Sequence, residues 1–482
     1  MERIIVIGAG LGGLETAYIL SRMGYRVQLL ESGAQIGGAL QTYRRKGFLF
    51  DSGFHYVGGL DPQGSLYQLF RYFKLLNLPW RQLDVDAADV VSVGGRLFHI
   101  PQGHGRFTEE LSYCFPNSRN EILKYSAMLQ TVGDNIFNSL NTQSDLFGVS
   151  AYDWLCQEIS DPLLRKVLSG TSLKMHLDAN TTPLYVFAQI NNSFIQSSWR
   201  LDGGGESLCN AFAQQLDSLG CKIKTNAHVT QITNDGERVT GVVVNASEHI
   251  EANIVVSDLH PSVTYSLIPE TPVIHRITRS RVNRLRNSFG MFTVNCILKP
   301  RTIPYLNSNV YIYDDEADLW NYTPSEKPHS VLVNYYPGDF GYAHHLDLLT
   351  PMDFSEVEKW QDTKFGSRPD DYIQFKKDKA EALIQLVATQ FPSFANAVDT
   401  YYTSTPLTYA HYTGIPKGSA FGVLKDWRSP ITTLISPTTP LKGLFLTGQN
   451  LNLHGVLGVS MTSLLTVSAI TGIQALRTEI NI

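Results

Sequence analysis

The sequence predicts an α/β fold: a Rossmann-like nucleotide-binding domain assembled from separated stretches of chain, with an α+β domain inserted into it. Three observations predict it. An apolar strand at residues 4–7 runs into the turn Gly8-Ala9-Gly10-Leu11-Gly12-Gly13. A second apolar run at 27–30 ends on an acid, Glu31. A further strand and glycine turn at 443–448 returns near the other end and leads into a helix at His454-Gly455-Val456-Leu457-Gly458.

Each part has a physical reason. Gly8 permits the tight turn, Gly10 leaves the backbone open to a pyrophosphate, and Gly13 lets the helix lie close on the strand. The unpaired N–H groups from Gly10 through Leu11, Gly12 and Gly13 then face the phosphates from the positive end of the helix dipole. Glu31, with Ser32 beside it, is placed to bond an adenosine ribose. An acid there repels a 2′-phosphate and selects FAD or NAD over NADP. Gly37 and Gly38 follow in a loop that can reach the same ligand. The motif starts so early that no targeting segment is expected ahead of it.

A chain of 482 residues is expected to hold more than one domain. Its 39 basic and 44 acidic side chains leave a net charge of -5, which argues against a nucleic-acid partner. Cys114, Cys156, Cys209, Cys221 and Cys296 are scattered, with no C-x-x-C pair. No zinc site, disulfide framework or dithiol centre is expected, no metal is assigned, and a cytoplasmic setting fits. No apolar run is long enough to span a bilayer. The longest candidate, 456–476, is broken by serines and threonines and reads as a helix packed on a sheet. Peripheral membrane contact stays open.

Along the chain, 66–76 has a helical pattern, 89–100 alternates about Gly94-Gly95 as a hairpin, and 106–139 and 150–168 are helical. Asp202-Gly203-Gly204-Gly205 precedes a helix at 206–219, followed by strands at 221–225, 229–232, 238–245 and 249–256. Strands are expected at 291–298, 310–313 and 331–336, and a helix at 371–390. The expected division assigns 1–65, 200–270 and 405–482 to the nucleotide domain. Residues 66–199 and 271–404 form the substrate-binding domain. A basic segment, His275 with Arg276, Arg279, Arg281, Arg284 and Arg286, reads either as a solvated helix face or as a contact for anionic headgroups.

Two glycine-rich helix starts at opposite ends point to a long cofactor. The first serves an adenine dinucleotide. FAD needs a second anchor for its ribityl chain and ring. The strand before Gly448 is expected beside the first strand of a parallel sheet. The N–H groups of Val456 and Leu457 would then face the flavin N1–C2=O edge, where negative charge develops on reduction.

Glu31 to Gly38, the strand into Asp51-Ser52-Gly53-Phe54-His55-Tyr56, the Asp202–Gly205 turn, and Thr447-Gly448-Gln449-Asn450 with His454-Gly455 resemble the FAD-dependent phytoene desaturase, carotenoid isomerase and retinol saturase superfamily. The stretches at 51–59 and 446–458 look most like its all-trans-retinol 13,14-reductase branch. The resemblance implies a domain of the glutathione reductase/amine oxidase type with FAD as cofactor. It also implies redox chemistry at C=C or CH–CH bonds of an apolar isoprenoid or polyene. It further implies a backbone contact from Val229 to adenine, and contacts from Gly448, Gln449 and Asn450 to the ribityl region. Ala39 stands where phytoene desaturases usually carry arginine, and Asn450 where many relatives carry an acid, which weakens a straight desaturase assignment.

Saturating a C=C bond takes a hydride and a proton. His454 and His55 are the candidate proton donors, each against the plainer reading of a packed histidine. Tyr409, His411 and Tyr412 are candidates to line an apolar channel. Reduction is the leading expectation; desaturation, cis–trans isomerisation and oxidation of an amine are the enzymatic alternatives, with the electron donor or acceptor unassigned. A non-enzymatic prenyl-protein carrier of the GDP-dissociation-inhibitor type is the alternative of another class.

Overall fold

The computed structural model describes residues 2–134 and 145–480. The first strand, Arg3–Ile7, sits at the centre of a five-stranded parallel sheet. The order is Lys222–Lys224, Arg26–Leu30, Arg3–Ile7, Ile254–Ser257 and Leu444–Leu446. Alternation along the first strand decides what covers it. Ile4 and Val6 face helices Leu11–Arg22, Gly204–Ser218 and Gly455–Thr471 through Leu14, Phe212 and Leu464. Ile5 and Ile7 face a three-stranded antiparallel layer, Val229–Asn234, Val239–Val244 and Glu248–Glu251.

Two expectations are corrected here. The strand expected at 249–256 is two strands in two sheets, parted at Ala252-Asn253. Asn253 docks against Arg3, donating its N–H to the Arg3 carbonyl at 2.9 Å and accepting the Arg3 N–H on Oδ1 at 2.9 Å. That steers the apolar run Ile254–Ser257 into the place beside the first strand. Leu444–Leu446, expected there, pairs one position further out.

The second large sheet has seven strands, in the order Val398–Ser404, Gly290–Leu298, Ala343–Met352, Ser330–Pro337, Asn309–Tyr313, Asp89–Val93 and Arg96–Ile100. Its pairings are antiparallel except between Asn309–Tyr313 and Asp89–Val93. The hairpin about Gly94-Gly95 forms as expected. The inner strand Ala343–Met352 and the edge strand Val398–Ser404 were not anticipated. Helix Asp370–Gln390 covers one face through Leu383 and Val387, packed on Val294, Val333 and Leu348. The helices His104–Cys114, Arg119–Asp134, Ala151–Glu158, Pro162–Ser169 and Leu184–Gln196 pack on the other, where Tyr311, Tyr313, Leu332 and Leu349 meet Phe107, Leu111, Leu164 and Phe187. The part of the 106–139 helical expectation beyond residue 134 lies outside the described residues.

Candidate functional site

The fingerprint folds into a close-packed turn. A Cβ on Gly13 would stand 2.0 Å from the Gly8 carbonyl oxygen, so helix and strand approach as only glycine permits. Gly8 has φ +92° and donates its N–H to the Leu30 carbonyl at 2.8 Å. The Gly37-Gly38 loop folds back on it: Gly37 donates to the Ala9 carbonyl at 2.7 Å, and a Cβ on Gly38 would lie 3.2 Å from the Gly10 Cα.

The two ends of the chain meet at this turn. A Cβ on Gly12 would stand 2.8 Å from the Gly448 Cα. Thr16 and Thr447 share a hydroxyl hydrogen bond at 3.1 Å. Ser460 and Ser463 of the last helix donate to the buried Glu15 carboxyl at 2.5 and 3.1 Å. Burial pushes the Glu15 carboxyl up to about 8. Glycines 10, 12 and 448 thus bound one cradle that any side chain at these positions would fill.

Backbone N–H groups of Gly10 and Gly13 face into the cradle. The Asp258 carboxyl reaches into it. A Cβ on Gly10 would lie 2.5 Å from its Oδ2, and Cβ atoms on Gly12 and Gly448 would lie 2.6 and 2.1 Å from its Oδ1. Burial raises the Asp258 carboxyl to about 7, against the N–H groups of Gly13 and Gly10, which favour its charged form. Those N–H groups are the donors a pyrophosphate requires. Glu31 accepts from the Ala9 N–H at 2.9 Å, the Gly33 N–H at 2.7 Å and the Ser32 hydroxyl at 3.2 Å, so its carboxylate is held at the end of its strand. Beside it the Ala227 N–H bonds the Glu31 carbonyl, bringing the start of Val229–Asn234 next to the acid.

Asn450 is buried, and its Oδ1 accepts the Val423 N–H at 3.2 Å. Its carbonyl and that of Leu451 accept from the buried Lys425 ammonium at 2.7 and 2.9 Å, fixing the turn that carries Gln449. The last helix starts at Gly455, with φ +76°, just ahead of Val456 and Leu457. His454 caps it by backbone alone; its Nε2 meets the Lys174 carbonyl at 3.3 Å and its ring lies 4.7 Å from that of Phe421. Burial lowers His454 to about 4 and His55 to about 3, with the nearby Arg200 charge adding to the latter. Both are neutral imidazoles near pH 7, so the expected role of an imidazolium acid does not suit them. Among the described residues neither ring nitrogen of His55 has a hydrogen-bond partner.

The sequence reading missed the polar layer above this region. Five strands of the seven-stranded sheet carry, in register and on one face, Asn295, Asp347, Asn334, Asn309 and Asp89. All five are buried. Arg200, at the end of the strand that leads into Asp202–Gly205, reaches this row. It bonds Asn309 Oδ1 at 2.5 Å, the Tyr335 carbonyl, and the His55 carbonyl at 3.4 Å. Asn295 donates to Asp347 at 2.5 Å, and the Tyr43 hydroxyl donates to Asn295. Asn309 donates to Asp89 at 2.8 Å, and Asp89 faces the buried Lys174 ammonium at 3.7 Å. Asp51 caps helix Gly204–Ser218 through the Gly205 N–H at 2.8 Å. Burial raises Asp51 and Asp347 each to about 7. The one signal was a charge between the apolar Trp199 and Leu201, at Arg200; Asp347 follows two histidines in a strand without a clean pattern.

The aromatic run is divided. Tyr409 turns inward and shares a hydrogen bond with Thr293 at 2.7 Å. His411 stacks on Phe365 at 3.9 Å, and Tyr412 is 55 % exposed, so these two do not line an interior channel.

The fold and cradle define the chain as an FAD-dependent oxidoreductase. A family model described as flavin containing amine oxidoreductase matches residues 11–359, and the chain belongs to that family. It is 25% identical to all-trans-retinol 13,14-reductase of Danio rerio over 97% of this chain and 85% of that protein. It is 26% identical to 4,4'-diaponeurosporene oxygenase of Staphylococcus aureus (strain Mu50 / ATCC 700699), over 60% of each. A solved single-substitution mutant of putrescine oxidase superposes with a TM-score of 0.65 at 16% identity, covering 97% of this chain and 98% of that one. An oxidoreductase from Methanosarcina mazei gives 0.64 at 18% identity, covering 97% and 99%. These two likenesses show the shared fold.

Proposed function

We propose that this enzyme reduces a C=C bond of an apolar polyene, in the manner of a retinol saturase. The observation that carries the reading is the meeting of Gly12 and Gly448, which makes one cradle from both ends of the chain. The near end-to-end similarity to all-trans-retinol 13,14-reductases supports the substrate class.

In this reading the segments 1–65, 200–270 and 405–482 hold FAD, and 66–199 with 271–404 cover the substrate. The N–H groups of Gly10, Leu11, Gly12 and Gly13 hold the pyrophosphate after Asp258 takes a proton or turns aside. Glu31 and Ser32 hold the ribose, Gly37 and Gly38 close on the phosphates, and the Val229 backbone meets adenine. Gly448, Gln449 and Asn450 hold the ribityl chain. Gly455, Val456 and Leu457 direct N–H groups at the ring. When bound, the flavin supplies the hydride. His55 and His454 serve as neutral hydrogen-bonding groups beside the ring and not as acids. The proton reaches the substrate from solvent or a hydroxyl.

The test is anaerobic incubation of the reduced holoenzyme with retinoids and carotenoids, followed by mass analysis. A product heavier by two hydrogens is the expected result. Unchanged mass with altered absorbance would replace reduction by isomerisation, and an unchanged panel would overturn the polyene reading. One similar Danio rerio protein bears the description "Inactive all-trans-retinol 13,14-reductase", so product formation must be measured directly.

A further inference from the structure

The basic segment that the flavin site does not use forms a surface of its own. Helix Arg276–Asn283 is amphipathic at helical spacing. Val282 points inward and is buried, and Arg279 is spent on the carbonyls of Tyr265, Ile268 and Pro269. Ile277, Arg281 and Arg284 fall at i, i+4 and i+7 and share the outer face. Ile277 is 77 % exposed. Across from it stands the short turn Pro430–Thr433, on which Ile431 is 82 % exposed. Between them lies a cavity of about 420 Å³, lined by Ile277, Arg281, Arg284, Arg286, Asp426 and Thr433 among others.

The charge here runs against that of the whole chain, whose net is -5. Asp426 is taken by Arg428 at 2.7 Å, and Asp178 lies 3.8 Å from Arg286. Among the described residues no carboxylate pairs with Arg276, Arg281 or Arg284. A solvated helix face would not need an isoleucine at its outermost point on both sides of a cationic cavity. Protruding aliphatic side chains flanked by unpaired arginines match a layer that is anionic at its surface and apolar just beneath.

We propose that this face docks the enzyme on an anionic phospholipid bilayer, with Ile277 and Ile431 inserted between headgroups and Arg281 and Arg284 on their phosphates. No helix among the described residues is long and apolar enough to cross a membrane. The inference stands apart from the identity of the substrate, because vesicle partitioning can be read without turnover.

The experiment is co-sedimentation of the flavin-loaded full chain with phosphatidylcholine vesicles, with and without about a third phosphatidylglycerol. The expected result is binding to the anionic vesicles only, weakened by salt. Arg281→Glu with Arg284→Glu should lower the partition coefficient at least about tenfold, since each arginine near the surface is worth about fivefold. Ile277→Ser with Ile431→Ser should lower it on its own while leaving flavin content unchanged. Equal binding to both vesicle types, or none to either, overturns the proposal. Loss of binding with the arginine pair but not with the isoleucine pair also overturns it, since the chain would then adsorb to headgroup charge without inserting Ile277 and Ile431.

Discussion

The two sheets of this protein solve different problems with different parts of the chain. Apart from Ser257, the buried strand residues of the parallel sheet around Arg3–Ile7 are apolar. Its chemistry lies past the carboxyl ends of its strands, in backbone N–H groups and absent side chains at Gly10, Gly12, Gly13 and Gly448. The seven-stranded sheet carries its polarity in the middle, as a row of buried amides and carboxyls held by Arg200. A site made from backbone tolerates no added atoms. A site made from side chains tolerates no lost partners.

That contrast can be broken or sharpened by substitution. The largest effect is expected at Gly13→Ala, where the new Cβ meets a backbone oxygen that cannot retreat; flavin content, read from absorbance, should fall to about a tenth or less. Arg200→Met should come next, lowering unfolding free energy by about 3–5 kcal/mol in urea titration, because it strands buried polar groups. If Gly13→Ala retains flavin while Arg200→Met loses only flavin, the contrast is wrong.

Asp347→Asn separates charge from shape. In the fold burial lifts this carboxyl to about 7, whereas an unfolded aspartate titrates near ~3.9. The folded state therefore holds the proton more tightly. Its stabilising share is complete below the unfolded value and fades as pH rises toward 7. The amide should leave stability nearly unchanged at acid pH and raise it by about 1–3 kcal/mol at alkaline pH, in melts run across the range. The smallest effect is expected at Asp258→Asn. Removing a negative charge from the pyrophosphate cradle should tighten FAD binding above neutrality by about fivefold, with wild type and variant converging at acid pH in a flavin titration.

The same contrast explains what could be read from the sequence. The glycine turn, Glu31, and the returning turn at Gly448 are local patterns, and the structure brings them together at the cradle. The row from Asn295 to Asp89 is not local. Its members come from strands far apart in sequence, and each alone reads as an ordinary polar residue in a strand. Asp347 sits in a run with two histidines and a proline, so the strand Ala343–Met352 carried no clean alternation. The order of the parallel sheet failed for a similar reason: the choice between two apolar runs for the place beside Arg3–Ile7 was made by Asn253, through two hydrogen bonds that no period encodes. The protonation of His454 and His55 depends on burial that position in the sequence does not report.

The bond from Ser460 to Glu15 joins residues 445 positions apart in the polypeptide. On the ribosome, helix Leu11–Arg22 emerges long before its partner Gly455–Thr471. Until that partner has been made, Glu15 has no hydroxyl to hold it and the glycine cradle has one wall. Cofactor loading is therefore a late event in the life of the chain, and a nascent enzyme must wait, its apolar helix face uncovered, for the second wall to arrive.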